Sequence, residues 1–119
     1  MKLNYFVAGT NDMSVAVPFY DELFAGFGIN KIHDEGRMTF WQGPDFMFAL
    51  AEPFDGNAAT VGNGMMLGFQ VDDAEQVSSQ YNKSLELGGA DEGEPKDRSG
   101  HFSAYVRDLD GNKICFYSS

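Results

Sequence analysis

The sequence predicts an α+β protein: two βαβββ modules forming a curved antiparallel mixed sheet, with helices on its outer face and the other face open. Three observations point to it. Two segments place apolar residues at helical spacing, each preceded by one strand-like stretch and followed by others. Between the two sets lies "PFDGNAATVGNG" (53–64), with proline, asparagine and three glycines and little to bury, which reads as a linker. One domain over 1–119 is expected, with module one at about 1–53 and module two at about 64–119.

"LNYFVAG" (3–9) is rich in β-branched and aromatic residues and reads as the first strand. "TNDMS" then offers several helix caps, and Val15, Phe19, Leu23 and Phe24 follow at helical spacing. Pro18 lies close enough to the start to be tolerated, and Gly26 or Gly28 supplies the stop. Three short strands follow at 29–34, 38–42 and 46–52, separated by the turn-forming "DEGR" and "QGPD". The second module repeats this order. "MMLGFQV" (65–71) reads as a strand and 72–89 as a helix opened by Asp72 or Asp73 and stopped at Gly88, with Ala74, Val77, Tyr81 and Leu85 on its apolar side. A short segment near 90–94, a polar loop "EPKDRSG", a strand at 101–107, a turn, and a last strand at 113–118 complete it.

Strand alternation sorts the side chains. Tyr5, Val7, Met66, Gln70, Ser103, Tyr105 and Cys115 fall on the open face, and Phe6, Leu67, Phe69, Ala104, Val106, Ile114 and Phe116 fall against the helices. An open face that is mostly apolar with a few polar tips is how small-molecule pockets are lined. Pairing the last two strands across 108–112 sets Tyr105 opposite Cys115 and Arg107 opposite Lys113, so two cations stand near the only thiol. Without their help, Cys115 is a small buried hydrophobe.

A hydrophobic fraction of 43% and a charged fraction of 22% are those of an ordinary soluble chain. No apolar run approaches the ~18 residues that span a membrane. "MKLNYFVAG" is too short and polar for a signal peptide, so a cytoplasmic location is expected, in keeping with the single cysteine. Eighteen acidic residues against eight basic ones give a net charge of -10. Such a surface repels phosphate backbones and anionic headgroups, which sets nucleic acid and membrane aside as partners, and it would suit a cationic ligand. Asp72, Asp73 and Glu75 are explained by helix capping and do not have the spacing of a calcium loop. His33 lies in a polar stretch and reads as solvated, whereas His101 opens a strand where it could rim a pocket.

"GTND" before the first helix, "FYDELF" within it, "GMMLGFQVDDAEQV" opening the second module and "VRDLDGN" before the last strand, in this order and spacing, resemble the vicinal oxygen chelate superfamily of glyoxalase I, extradiol dioxygenases and bleomycin-resistance proteins. The likeness covers essentially the whole chain. Leu109 departs from it, standing where the family's D-P-D-G turn has proline, but Gly111 keeps the turn possible. The resemblance implies a homodimer. It also places the family's four metal ligands at Tyr5, Ala49, Met66 and Cys115, where one thiol is the only strong donor. The expectation is therefore a small-molecule binding protein with no metal or other cofactor and no assigned catalytic residue, holding its ligand near Tyr5, Met66, Tyr105 and Cys115. The alternative is a lyase, isomerase or dioxygenase-type enzyme of the same superfamily, metal-dependent in the manner of lactoylglutathione lyase or using Tyr5, Tyr105 or Cys115 for acid-base or nucleophilic chemistry.

Overall fold

A computed structural model describes all residues, 1–119. The first module, within residues 1–60, runs β1 (Tyr5–Gly9), α1 (Met13–Phe24), β2 (Asn30–Glu35), β3 (Met38–Gln42) and β4 (Met47–Ala51). Its sheet has the order β1-β4-β3-β2, with β1 parallel to β4 and the other pairs antiparallel. The parallel pair follows from the helix. Only a crossover of that length can return the chain in the same direction, whereas short turns suffice for the β2–β3–β4 meander.

Asp12 starts α1 by accepting from the Ser14 N–H at 3.2 Å and from its hydroxyl at 2.6 Å. The helix runs through Pro18 and ends at Phe24 with Ala25 as its cap, and Gly26, at φ 86, follows as the expected stop. Its buried side is Ala16, Val17, Phe19, Tyr20, Leu23 and Phe24, while Val15, expected on the apolar stripe, is exposed. The stripe starts one residue later because Ala16 and Tyr20, four apart, face the sheet. There Tyr20 and Phe24 meet Phe48 at ring distances of 4.7 and 5.5 Å, and Trp41 donates its indole N–H to Asp21 at 2.9 Å. Each such ring contributes about 1.5–3 kcal/mol of burial.

The second module, within residues 61–119, runs β5 (Leu67–Gln70), α2 (Ala74–Glu86), β6 (Ala90–Arg98), β7 (His101–Arg107) and β8 (Lys113–Ser118) in a separate sheet of order β5-β8-β7-β6. Asp73 caps α2 by accepting from the Gln76 N–H at 2.8 Å, and the Gln76 side chain reaches back to the Asp72 N–H at 2.9 Å. The buried positions are Val77, Gln80 and Ser84, with Tyr81 and Leu85 half-buried and Ala74 exposed. Ser84 is tolerated there because its hydroxyl bonds the Gln80 carbonyl at 2.8 Å.

Two elements differ from the sequence reading. β5 is four residues long, so Met66 lies just ahead of it. The loop expected at 94–100 belongs instead to β6, which runs to Arg98 with register shifts between Asp91 and Gly93 and between Gly93 and Lys96. Pro95 is compatible with this because β6 is an edge strand that needs no donor on its outer side. Ser99 and Gly100, at φ 56 and 90, then form a two-residue hairpin turn.

Candidate functional site

Each sheet has one face packed on its helix and one that is not. In the first module the register sets Tyr5 beside Met47, Val7 beside Ala49, and Phe40 beside Ala49. The Tyr5 and Phe40 rings stack at 6.3 Å, and the His33 ring meets Phe40 edge-on at 5.7 Å. Tyr5 and Val7 keep 43% and 49% of their surface exposed, whereas Trp41, Phe48 and Leu50 on the opposite face are fully buried. This face is an apolar platform of partly exposed rings. His33 is exposed, as expected for a solvated residue.

The second module's free face is built on the β7–β8 hairpin. Asp108 folds the intervening turn around its carboxylate, accepting from the Asp110 N–H at 3.0 Å, the Asn112 N–H at 2.8 Å and the Asn112 side-chain amide at 2.9 Å. That turn fixes the register, with Tyr105 opposite Cys115 and Arg107 opposite Lys113 as expected. Ser103, next along the face, pairs with Tyr117, and His101 contacts the Tyr117 ring at 6.3 Å.

The cations beside Tyr105 are Arg98 and Lys113. The Arg98 guanidinium lies 5.0 Å from the ring centroid and the Lys113 ammonium 5.3 Å. Arg98 donates to the Ser103 carbonyl and to that of Glu94 at 2.7 Å. Gly93, opposite Tyr105, makes the room: a Cβ there would come within 2.8 Å of Tyr105 Cδ2 and 3.1 Å of Arg98 Nη2. Arg107, the sequence candidate for the second cation near the thiol, is instead held by Glu92 at 3.0 Å and the Gly111 carbonyl at 3.1 Å.

Burial pushes the Cys115 thiol above its ordinary value. A hydrogen bond from Tyr105 and the charges of Arg98 and Lys113 oppose that without reversing it. Near neutral pH Cys115 is therefore a protonated thiol, 6% exposed, in the floor beneath Tyr105.

Of the four residues expected to hold a ligand, Tyr105 and Cys115 are cross-strand neighbours, Tyr5 stands on the first module's platform, and Met66 is 48% exposed just before β5. Sequence reasoning missed Arg98 because it placed this residue in a loop. The signal was present in "RSGH": a Ser-Gly pair between strand-forming residues is a two-residue hairpin that sets Arg98 opposite His101. Phe40 was missed because it and Trp41 are adjacent aromatic residues on opposite faces of β3, and only the pairing with β4 shows that Phe40 lies beside Ala49 while Trp41 meets the helix.

Two βαβββ modules, each with a helix on one sheet face and a free face opposite, define a small α+β protein of the paired-module class. The chain belongs to the glyoxalase/bleomycin resistance protein/dioxygenase superfamily, whose sequence model matches residues 2–116. Among solved structures it is similar to a glyoxalase/bleomycin resistance protein from Albidiferax ferrireducens, with 34% identity over 98% of both chains and a TM-score of 0.92. A hypothetical protein from S. aureus has 25% identity over 100% of this chain and 94% of its own, with a TM-score of 0.81. A lactoylglutathione lyase from Agrobacterium tumefaciens shares the fold at 20% identity, over 99% of this chain and 93% of its own, with a TM-score of 0.74. Comparison with curated proteins finds no significant match.

The residues to which the resemblance assigns the family's metal positions would not fit a divalent ion. Ala49 has no donor atom and is fully buried, Met66 offers a thioether, Tyr5 a phenol and Cys115 a protonated thiol. Nowhere do three or more His, Cys, Asp or Glu side chains group as a metal site. No helix is long and apolar enough to cross a membrane.

Proposed function

We propose that the chain is a small-molecule binding protein that works without a metal, as a cytoplasmic homodimer, with Tyr105 and Cys115 at the centre of its ligand contacts and Tyr5 and Met66 as further ones. The observation that carries this reading is the free face of the second module. There a half-buried tyrosine, a buried neutral thiol and two cations lie together on one sheet face, in a chain where the positions that the resemblance assigns to the family's metal hold a weak and incomplete donor set. Resemblance to the Albidiferax protein supports the family, and the first module's Tyr5–Phe40 stack supports aromatic contact with a ligand.

The test is thermal denaturation against small organic compounds of varied charge. Binding at a hundredfold excess over the dissociation constant would stabilise the fold by about 2.7 kcal/mol, and that gain should shrink in Tyr105→Ala and, separately, in Tyr5→Ala and Met66→Ala. A panel in which no compound moves the melting temperature would remove the reading. Sedimentation showing a monomer at micromolar concentration would remove the homodimer. The competing lyase reading draws on a fold shared with the Agrobacterium enzyme. Turnover of a glutathione hemithioacetal that rises with added Ni(II) or Zn(II) would establish it in place of the metal-free one.

A further inference from the structure

Arg98 and Lys113 both stand against the Tyr105 ring. Of eight basic residues set among eighteen acidic ones, Lys31 is paired with Asp21 and Asp34, and Arg107 with Glu92. Arg98 and Lys113 have no carboxylate partner, although Arg98 lies on a strand that itself carries Asp91, Glu92, Glu94 and Asp97. Each of those acids is directed elsewhere or exposed. Asp91 accepts from Tyr81 and from the Gly93 N–H, Glu92 holds Arg107, Asp97 accepts from the Gly100 N–H, and Glu94 gives Arg98 its backbone carbonyl rather than its carboxylate.

The arrangement is also built. Gly93 leaves the space in which the guanidinium lies against the Tyr105 ring, and two backbone carbonyls, of Ser103 and Glu94, fix its orientation. Ser103 takes up Nη1 through its carbonyl and, at 3.4 Å, its hydroxyl, and the Glu94 carbonyl takes up Nη2, which leaves Nε, the second Nη2 hydrogen and the Lys113 ammonium to face an acceptor from outside the chain. Two cations converge on one phenol, both partly buried, above a neutral thiol that adds no negative charge. Such a pair favours an acceptor with formal negative charge, because hydrogen bonds from a cation to an oxyanion are the strong ones.

Resting on the binding reading above, we propose that the free face of the second module is a subsite for the oxyanion of a small organic ligand, a carboxylate or a phosphate, held by Arg98 and Lys113 with Tyr105 beneath the attached carbon framework. Net charge alone suggests the opposite ligand, a cation. The local field overrides it at this face because Arg98 and Lys113 stand 5.0 and 5.3 Å from the Tyr105 ring centroid, while Asp91, Glu92 and Asp97 on β6 are engaged with other donors.

The experiment is amide NMR of the full chain titrated with benzoate, phenylphosphate, benzyl alcohol and benzylamine, which share one ring and differ in charge. Saturable shifts at the Gly93, Tyr105 and Cys115 amides with an anionic probe, absent with benzylamine, are expected. Stronger binding of phenylphosphate or of benzoate then tells the two oxyanions apart. Lys113→Gln and Arg98→Gln should each weaken that binding about tenfold, the effect of losing one charge-assisted bond. Their unperturbed spectra elsewhere report that they fold. Saturation by benzyl alcohol or benzylamine at those amides with no preference for the anions would overturn the oxyanion assignment and leave the binding reading standing. Shifts at none of them with any probe would overturn both. Anion binding unchanged in both variants would place the oxyanion elsewhere and refute the subsite.

Discussion

Replacing Asp108 with alanine should cost the protein about 2–4 kcal/mol, and the figure follows from the hydrogen bonds the carboxylate accepts. It takes the Asp110 N–H, the Asn112 N–H and the Asn112 side-chain amide at 2.8–3.0 Å, and both Asp108 and Asn112 are buried at 5% and 9% exposure. Alanine leaves the two Asn112 donors stranded out of water at about 1–3 kcal/mol each, while the Asp110 N–H, in a half-buried residue, recovers part of its loss from solvent. Urea denaturation followed by tryptophan fluorescence and circular dichroism should show the midpoint falling by about 1–2 M with little change in slope. Asp108→Asn is the sharper control. It keeps an oxygen for the two backbone groups but turns an amide towards the Asn112 amide, so its cost should be about half as large. A double substitution with Asn112→Ala should be less harmful than the sum of the two singles by about 1 kcal/mol, because the pair shares bonds. A midpoint change for Asp108→Ala below about 0.3 M would refute the staple, and with it the claim that this turn holds Tyr105 opposite Cys115.

Two further outcomes test the face itself. Because the folded pKa of Cys115 is raised by burial, the fold favours its protonated form. Its contribution to stability should be complete below the unfolded thiol value of about 8.5 and decline as pH rises through the folded value. Unfolding free energies at pH 7 and pH 10 for the wild type and Cys115→Ala should show the wild type losing more, the variant serving to subtract the titrations of Tyr81 and Lys31. An equal loss in both would mean that the thiol is not held neutral by the fold. Gly93→Ala should destabilise by about 1–3 kcal/mol in thermal denaturation, since its new methyl meets the Tyr105 ring and the Arg98 guanidinium at once. A neutral effect would show that the two side chains are not packed as described.

Local chemistry made much of this fold readable. Asp12 and Asp73 cap the two helices because carboxylates ahead of an apolar stripe have few other uses, and the "DLDGN" turn, counted outward from Asp110, set the last hairpin's pairing correctly. Readings failed where position depended on a partner strand. "EPKDR" looks like a loop by composition, but pairing with β7 makes it an edge strand, where proline and charge are acceptable. On the first helix Phe19, Leu23 and Phe24 are buried as expected and only Val15 was misplaced, because Val15 and Ala16 are both apolar and contact with the sheet selects between them. The candidate site suffered from the same dependence. Tyr105 and Cys115 were placed on one face by alternation along one hairpin, while Arg98 was missed because the charged stretch before the Ser-Gly turn reads as loop by composition.

The charge of the chain shows why a whole-molecule quantity misdirects a site argument. Many of the eighteen acidic side chains act locally: Asp12 and Asp73 cap helices, Asp55 and Asp108 organise turns, and the run from Asp91 to Asp97 decorates an edge strand. Their sum sets a negative field at a distance. It does not set the potential inside a concave or partly buried patch, where screening is weaker and the nearest charges dominate. Four of the eight basic residues, Lys96, Arg98, Arg107 and Lys113, lie within one short stretch that forms the hairpin region of the second module. Arg107 and its partner Glu92 cancel, leaving Arg98 and Lys113 to define the polarity around Tyr105. At the proposed subsite a small anion would therefore answer to the local field, because the long-range field acts on a polymer's many charges and the local one on a single group.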